Sequence, residues 1–243
     1  MIKVGIYGAS GYTGYELVRL LSRHPQVHIA FATSESQAGR ELSAVFPAAP
    51  PLPLLSATQV DPTSVDVVFL ALPHAASAAV AVPAREVGAR VIDLSADFRL
   101  TDAETYAEWY GGPHPAPHLL PSAIYGLTEA VRDHLPTAQL VANPGCYPTS
   151  ILLALWPLAQ AGLLASHAPI IADSKSGASG AGRTPKPHLH FVELTDNFMP
   201  YSIGHAHRHL PEIEQQLAAW TQPHTPNMIF SPHLLPVPRG ILS

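Results

Sequence analysis

Short β-branched runs alternate with helical patterns through the first part of the chain. Lys3 to Tyr7 reads as a strand, and Tyr12 to Arg23 as a helix with Leu17, Val18, Leu20 and Leu21 inward. Val27 to Thr33 is the next strand. Asp66 to Leu72 is nearly continuous apolar, the pattern of a strand covered on both faces. Ala75 to Val87 is helical in composition, Ala89 to Leu94 returns to strand, and Gln139 to Ala142 adds a further short one. Such β-α-β alternation predicts a parallel, doubly wound sheet with right-handed crossovers. Pro47 to Pro53 and Pro113 to Pro117 are proline-rich and read as loops. From Cys146 the pattern changes to a long apolar helix, a strand near Pro169 to Asp173, and a Gly/Ser-rich turn. A second helix, Leu210 to Trp220, should expose Glu212, Glu214, Gln215 and Gln216. The expected domains are therefore 1–145, a Rossmann-type nucleotide-binding unit, and 146–243, an α+β catalytic unit.

Charge sharpens this picture by its scarcity. Only 13% of the 243 residues are charged, against about a quarter in ordinary globular chains. Thirteen Lys and Arg against eighteen Asp and Glu give a formal charge of −5, so the basic footprint of a nucleic-acid binder is missing. No Asp, Glu, Lys or Arg falls between Asp133 and Asp173, which raises the question of a membrane span. The most apolar part, Ser150 to Ala165, contains Pro157 and Gln160 and falls short of the roughly 20 apolar residues a span requires. A buried helix is the better expectation. Met1-Ile2-Lys3 runs straight into the first strand without a targeting signal, so a cytoplasmic protein is expected. Cys146 is the sole cysteine, which excludes an internal disulfide framework.

Gly8-Ala9-Ser10-Gly11-Tyr12-Thr13-Gly14 joins the first strand to the first helix. Glycines at this spacing let the backbone turn tightly and approach a pyrophosphate, while the helix N-terminus offers N–H groups to it. Gly8, Ser10, Gly11, Tyr12, Thr13 and Gly14 are thus cofactor-binding candidates. After the second strand, Ser34, Ser36 and Arg40 suit a ribose 2′-phosphate, whereas Glu35 is ambiguous. NADP(H) is favoured over NAD.

Asn143-Pro144-Gly145-Cys146-Tyr147-Pro148-Thr149 places the thiol at the start of the apolar helix, where the helix dipole favours a thiolate. A nucleophile needs a proton partner, and His205, His207 and His209 recur at alternate positions ahead of Glu212. With His188 and His190 these could suggest a metal site. Fourteen histidines make chance clusters common and no carboxylate or thiolate completes a ligand set, so no metal is expected. Arg99 closes the polar run Asp93 to Leu100 at a strand end, and Lys175 and Arg183 flank a glycine-rich loop. All three are candidates for gripping a phosphate or carboxylate.

These segments together resemble the N-acetyl-γ-glutamyl-phosphate reductase family, within the aspartate-semialdehyde dehydrogenase-like group. The matching stretches are Gly8 to Gly14, Leu70 to His74, Val91 to Leu100, Tyr125 to Leu127, Asn143 to Thr149, Lys175 to Gly182, His207 to Gln215 and Pro232 to Ser243. The resemblance implies NADPH-dependent reduction of an acyl phosphate to a semialdehyde through a cysteine thioester, a step of arginine biosynthesis, by a homo-oligomer. It makes Cys146 the nucleophile and His207 the acid–base, with His209 second. It adds Pro73, Ser176 and Gly177 to the cofactor contacts and assigns Arg99, Lys175, His209 and Glu212 to the substrate. The family continues past Ser243, so an incomplete second domain with exposed strand edges is expected. Rival readings are a reductase of carrier-bound aminoadipyl or glutamyl phosphate in lysine biosynthesis, aspartate-semialdehyde dehydrogenase itself, and a non-catalytic nucleotide-binding remnant.

Overall fold

A computed structural model describes residues 1–164, 168–222 and 226–243 in two compact units, Met1–Asn143 and Pro144–Ser243. The first unit runs β1 (Ile2–Tyr7), α1 (Tyr12–Leu21), β2 (Val27–Thr33), β3 (Leu54–Leu55), β4 (Val67–Leu70), α2 (Ala76–Glu86), β5 (Arg90–Asp93), α3 (Ala103–Tyr110), β6 (Ala123–Tyr125), α4 (Thr128–Val131) and β7 (Leu140–Ala142). Its strands form one parallel sheet in the order β3-β2-β1-β4-β5-β7-β6. β1 lies between β2 and β4, so the chain winds away from it to one side and then to the other. That reversal is the switch point where open α/β sheets bind ligands, at the carboxyl ends of the strands.

β1, β2, β4, β5 and β7 and helices α1 and α2 stand where the sequence pattern put them, with small shifts at their ends, whereas β3, β6, α3 and α4 were not expected. Within α1 the buried residues are Gly14, Tyr15 and Val18, whereas Leu20 is exposed, contrary to the expected inward set. Tyr15, which is buried, stacks on Phe46 with ring centres 4.2 Å apart. Gly5 allows the Phe31 ring to cross β1, because a Cβ there would stand 2.2 Å from the ring.

The second unit runs α5 (Cys146–Gln160), β8 (Ile170–Ser176), α6 (Phe191–Leu194), β9 (Met199–Pro200), α7 (Leu210–Thr221), β10 (Met228–Leu234) and β11 (Ile241–Leu242). β8 and β10 pair in parallel over seven residues, and β11 and β9 flank them antiparallel for two residues each. Among the described residues, strand pairing covers the outer edges of β8 and β10 at their carboxyl-terminal ends. Alternation puts Ala172, Ser174, Ser176, Met228, Phe230 and Leu234 on a buried face. The other face carries Ile171, 66% exposed, and its register partner Ile229, 41% exposed. The apolar run expected to extend to Ala165 ends as a helix at Gln160, and Ala165 itself lies outside the described residues. Among the described residues no helix is long and apolar enough to cross a membrane.

Candidate active site

In the first unit the Gly8–Gly14 segment forms the turn between β1 and α1. Gly8 has φ +83°, and a Cβ on it would lie 2.3 Å from the Ala71 carbonyl oxygen at the end of β4. A Cβ on Gly14 would lie 2.3 Å from the Gly8 carbonyl oxygen, so α1 can start this close to the turn only with glycine there. Gly8 and Ala9 donate their N–H groups to the Thr33 carbonyl, which ties the turn to the end of β2. The hydroxyls of Ser10 and Ser34 meet at 2.6 Å, so the structure brings these two candidates together. Arg40 stays exposed, its guanidinium held by the Gln37 side chain at 2.7 Å. Glu35, ambiguous in the sequence, accepts the Ala57 N–H at 2.7 Å. Pro73 is exposed in the turn after β4, followed by Ala75 with a left-handed φ of 66°. This turn is held by Asp97, whose fully buried carboxylate accepts the N–H groups of Ala75 at 2.6 Å and Ala78 at 2.9 Å and the hydroxyl of Tyr106 at 2.9 Å.

Arg99 is buried. Its Nε donates to the Asn143 carbonyl at 2.8 Å and its Nη2 to the Leu94 carbonyl at 2.9 Å. These bonds pin the strand ends of β5 and β7, a structural duty that the sequence did not reveal. Nearby Asp93 is pushed up to about 6, foremost by burial, against the lowering effect of the Ser95 hydrogen bonds.

In the second unit Cys146 is the first residue of α5 and is exposed. Behind it Tyr147 is buried, with its ring edge-on to His207, His209 and Phe230. His207 and His209 lie with ring centres 4.8 Å apart. The Nδ1 of His207 accepts the backbone N–H of His209 at 3.1 Å, which places the proton of the neutral ring on Nε2. Burial, aided by the Arg208 charge, lowers His207 to about 4, so the ring is neutral at physiological pH. Glu212 overturns its expected exposure. It is fully buried in the first turn of α7, and its Oε1 accepts the Gly145 N–H at 2.8 Å. The helical pattern marked it as polar and outward, but its carboxylate holds the residue before the thiol.

Two further candidates have structural partners of their own. Lys175, the expected substrate grip, lies on β8. Strand alternation puts it on the opposite face from Ser174 and Ser176, where its Nζ pairs with Asp173 at 2.6 Å. Gly177 is required by packing, because a Cβ would stand 2.7 Å from the Arg239 backbone nitrogen, where the 237–240 segment docks on the loop. Ser176 is buried and faces the hydroxyl of Tyr201. Tyr201 itself was not singled out in the sequence, since a lone tyrosine beside a turn carries no pattern. Among the described residues no three His, Cys, Asp or Glu side chains converge as metal ligands.

Residues 3–138 match the family model of the semialdehyde dehydrogenase NAD-binding domain, and residues 146–243 that of the semialdehyde dehydrogenase dimerisation domain. N-acetyl-gamma-glutamyl-phosphate reductases of Magnetococcus marinus and Geotalea daltonii are each 49% identical, over 100% of this chain and 70% of the relative. The chain belongs to the N-acetyl-gamma-glutamyl-phosphate reductase family. Members of this family are oxidoreductases, and the sequence resemblance is thereby borne out. The fold extends further. Aspartate semialdehyde dehydrogenase II of Vibrio cholerae, solved in complex with ASA, superposes with a TM-score of 0.70 at 16% identity, covering 99% of this chain and 72% of that one. The Candida albicans enzyme, solved with NADP, gives 0.62 at 17% identity, covering 99% and 69%.

Proposed function

We propose that this chain catalyses the NADPH-dependent reduction of N-acetyl-γ-glutamyl phosphate to N-acetylglutamate 5-semialdehyde and phosphate, a cytoplasmic step of arginine biosynthesis. The observation that carries the reading is the setting of Cys146: exposed, at the first residue of a helix, in a unit that also gathers His207, His209 and Glu212 behind it. A sole cysteine, which has no disulfide partner in the chain, suits a reducing compartment.

The dinucleotide fits the first unit. Gly8 and Gly14 leave room that a Cβ would fill, and the start of α1 offers backbone N–H groups for the phosphates. Ser10, Ser34, Arg40 and Pro73 are the residues that would hold it, with the serine pair and the Arg40 cation supporting NADP. When bound, the nicotinamide supplies the hydride.

The chain's own residues handle the rest of the chemistry. His209 takes the thiol proton, and the Cys146 sulfur attacks the γ-acyl carbonyl. The carbon–oxygen bond to phosphate then breaks and a thioester forms. His207, neutral with Nε2–H, donates to the oxygen that carries negative charge in each tetrahedral stage. Its low basicity suits His207 to donating a hydrogen bond rather than accepting a proton. After reduction the carbon–sulfur bond breaks, the aldehyde leaves and the thiolate is regenerated. Glu212 keeps the Gly145–Cys146 backbone in place through the Gly145 N–H.

A homo-oligomer is part of the same reading. The outward face of β8 and β10, with Ile171 and Ile229 exposed side by side, is the surface a second copy would cover. Phosphate-dependent NADP⁺ reduction with N-acetylglutamate semialdehyde is the deciding assay. The expected result is turnover that Cys146→Ser abolishes while NADPH still binds. A folded chain that binds NADPH and turns over nothing would leave the non-catalytic reading.

A further inference from the structure

The hydroxyl of Tyr201 donates to the hydroxyl of Tyr147 at 2.9 Å. The two residues come from different elements. Tyr147 follows Cys146 in the first turn of α5, and Tyr201 follows β9 at the head of the segment that leads to His207 and His209. That segment is conformationally demanding: Ser202 and His205 both have left-handed φ, 47° and 61°, without being glycine. Its backbone is tethered at one end, where the Tyr201 N–H donates to the Pro232 carbonyl in β10 at 3.1 Å. The rings then bracket the imidazole, with Tyr201 5.6 Å from His207 on one side and Tyr147 5.6 Å from it on another.

We infer that Tyr201 is a positioning residue for the reaction: its hydroxyl bridge to Tyr147 clamps the histidine segment onto the helix that presents Cys146. The bridge is a direct polar link between the residue after the nucleophile and the segment that carries the two imidazoles. Burial, together with the hydrogen bond to Tyr147 and the nearby Cys146 sulfur, pushes the Tyr201 phenol upward, so it remains a neutral donor over the working pH range. The inference rests on the reductase reading for its kinetic consequence, but the geometry it asserts can be tested without substrate.

Tyr201→Phe removes the bridging hydroxyl and keeps the ring against His207. The expected result is a kcat lower by roughly ten- to a hundredfold, the size of a small misplacement of reacting groups, with KM and NADPH affinity changed about twofold or less. Without substrate, the pH midpoint of Cys146 alkylation by iodoacetamide should rise. Tyr147→Phe breaks the same bridge from the other side and stands in if the first variant does not fold. The two effects should be non-additive in the double variant, as expected for one shared interaction. Wild-type kcat together with an unmoved alkylation midpoint in Tyr201→Phe would overturn the inference, as would strictly additive effects of the two substitutions. A moved alkylation midpoint in a chain that reduces no acyl phosphate would retain the clamp and reject the reductase reading.

Discussion

Glu212 receives the N–H of Gly145 from 67 residues away in the chain, at 2.8 Å, with its side chain fully buried. The bond stops that N–H from being stranded at the start of α5. It also places a carboxylate in the first turn of α7, where the helix N-terminus favours negative charge. Both helices are thereby fixed around the thiol by one residue.

Glu212→Ala should leave the Gly145 N–H buried without its acceptor, which costs about 1–3 kcal/mol. Glu212→Gln retains an amide oxygen for the same bond and should recover most of that loss. Urea unfolding of the two variants compares them directly. Equal destabilisation by both would mean that the charge matters and the Gly145 bond does not.

Stability should respond to pH through two groups with opposite signs. His207 is depressed to about 4, so the unfolded chain binds its proton first, and stability present above pH 6.5 is lost as pH falls toward 4. The ring is half-buried, so with solvent screening this is worth on the order of 1–2 kcal/mol. Asp93 is raised to about 6, so its contribution is present at low pH and is lost as pH rises through 6. His207→Gln should flatten the acid-side loss, and Asp93→Asn should steepen it. Urea midpoints followed across this window would refute the assignment if the two variants moved the slope the same way.

Gly14→Ala puts a methyl 2.3 Å from the Gly8 carbonyl oxygen, with backbone on both sides of the clash. The turn must open, and NADPH affinity should fall by at least about tenfold, the equivalent of 1.4 kcal/mol. The substitution lies in the first unit, so Cys146 alkylation in the second should keep its rate. Fluorescence titration with NADPH reads the first effect and mass spectrometry the second.

Arg99→Met keeps the aliphatic bulk and removes the donors to the Leu94 and Asn143 carbonyls. Both carbonyls belong to half-buried residues and water can reach them in part, so each lost bond should cost about 1 kcal/mol and the first unit should lose roughly 1–3 kcal/mol. Arg99→Lys can satisfy one of the two and should lie between. A fully stable Arg99→Met protein would show that the guanidinium is held for ligand binding alone.

Local patterning was enough for much of this molecule. Short apolar, β-branched runs drew β1, β2, β4, β5, β7 and β8, and helical spacing or composition drew α1, α2, α5 and α7, because each of these signals is carried by a contiguous stretch of several residues. The short strands β3, β6, β9 and β11 span two or three residues, too few to express a period, and they exist only because a neighbouring strand supplies their hydrogen bonds. The glycine turn after β1 and the thiol at the head of α5 were legible for the same reason as the long elements: each is a contiguous stretch whose residue types are dictated by local backbone geometry. Residues whose duties span the chain were not. Glu212 looked outward by helical spacing and is buried by a partner 67 residues distant. Lys175 and Arg99 read as grips for a phosphate or carboxylate, and the fold gives each a partner of its own, Asp173 for the one and two backbone carbonyls for the other. Tyr201 carried no local signature, because a hydrogen bond between two side chains 54 residues apart depends on where β9 and α5 come to rest. Sequence by itself determined which segments order and where glycine and cysteine sit on them, since those follow from short-range sterics and burial. Tertiary structure alone decided which polar groups meet, since desolvation compels each buried donor to find an acceptor wherever the chain brings one.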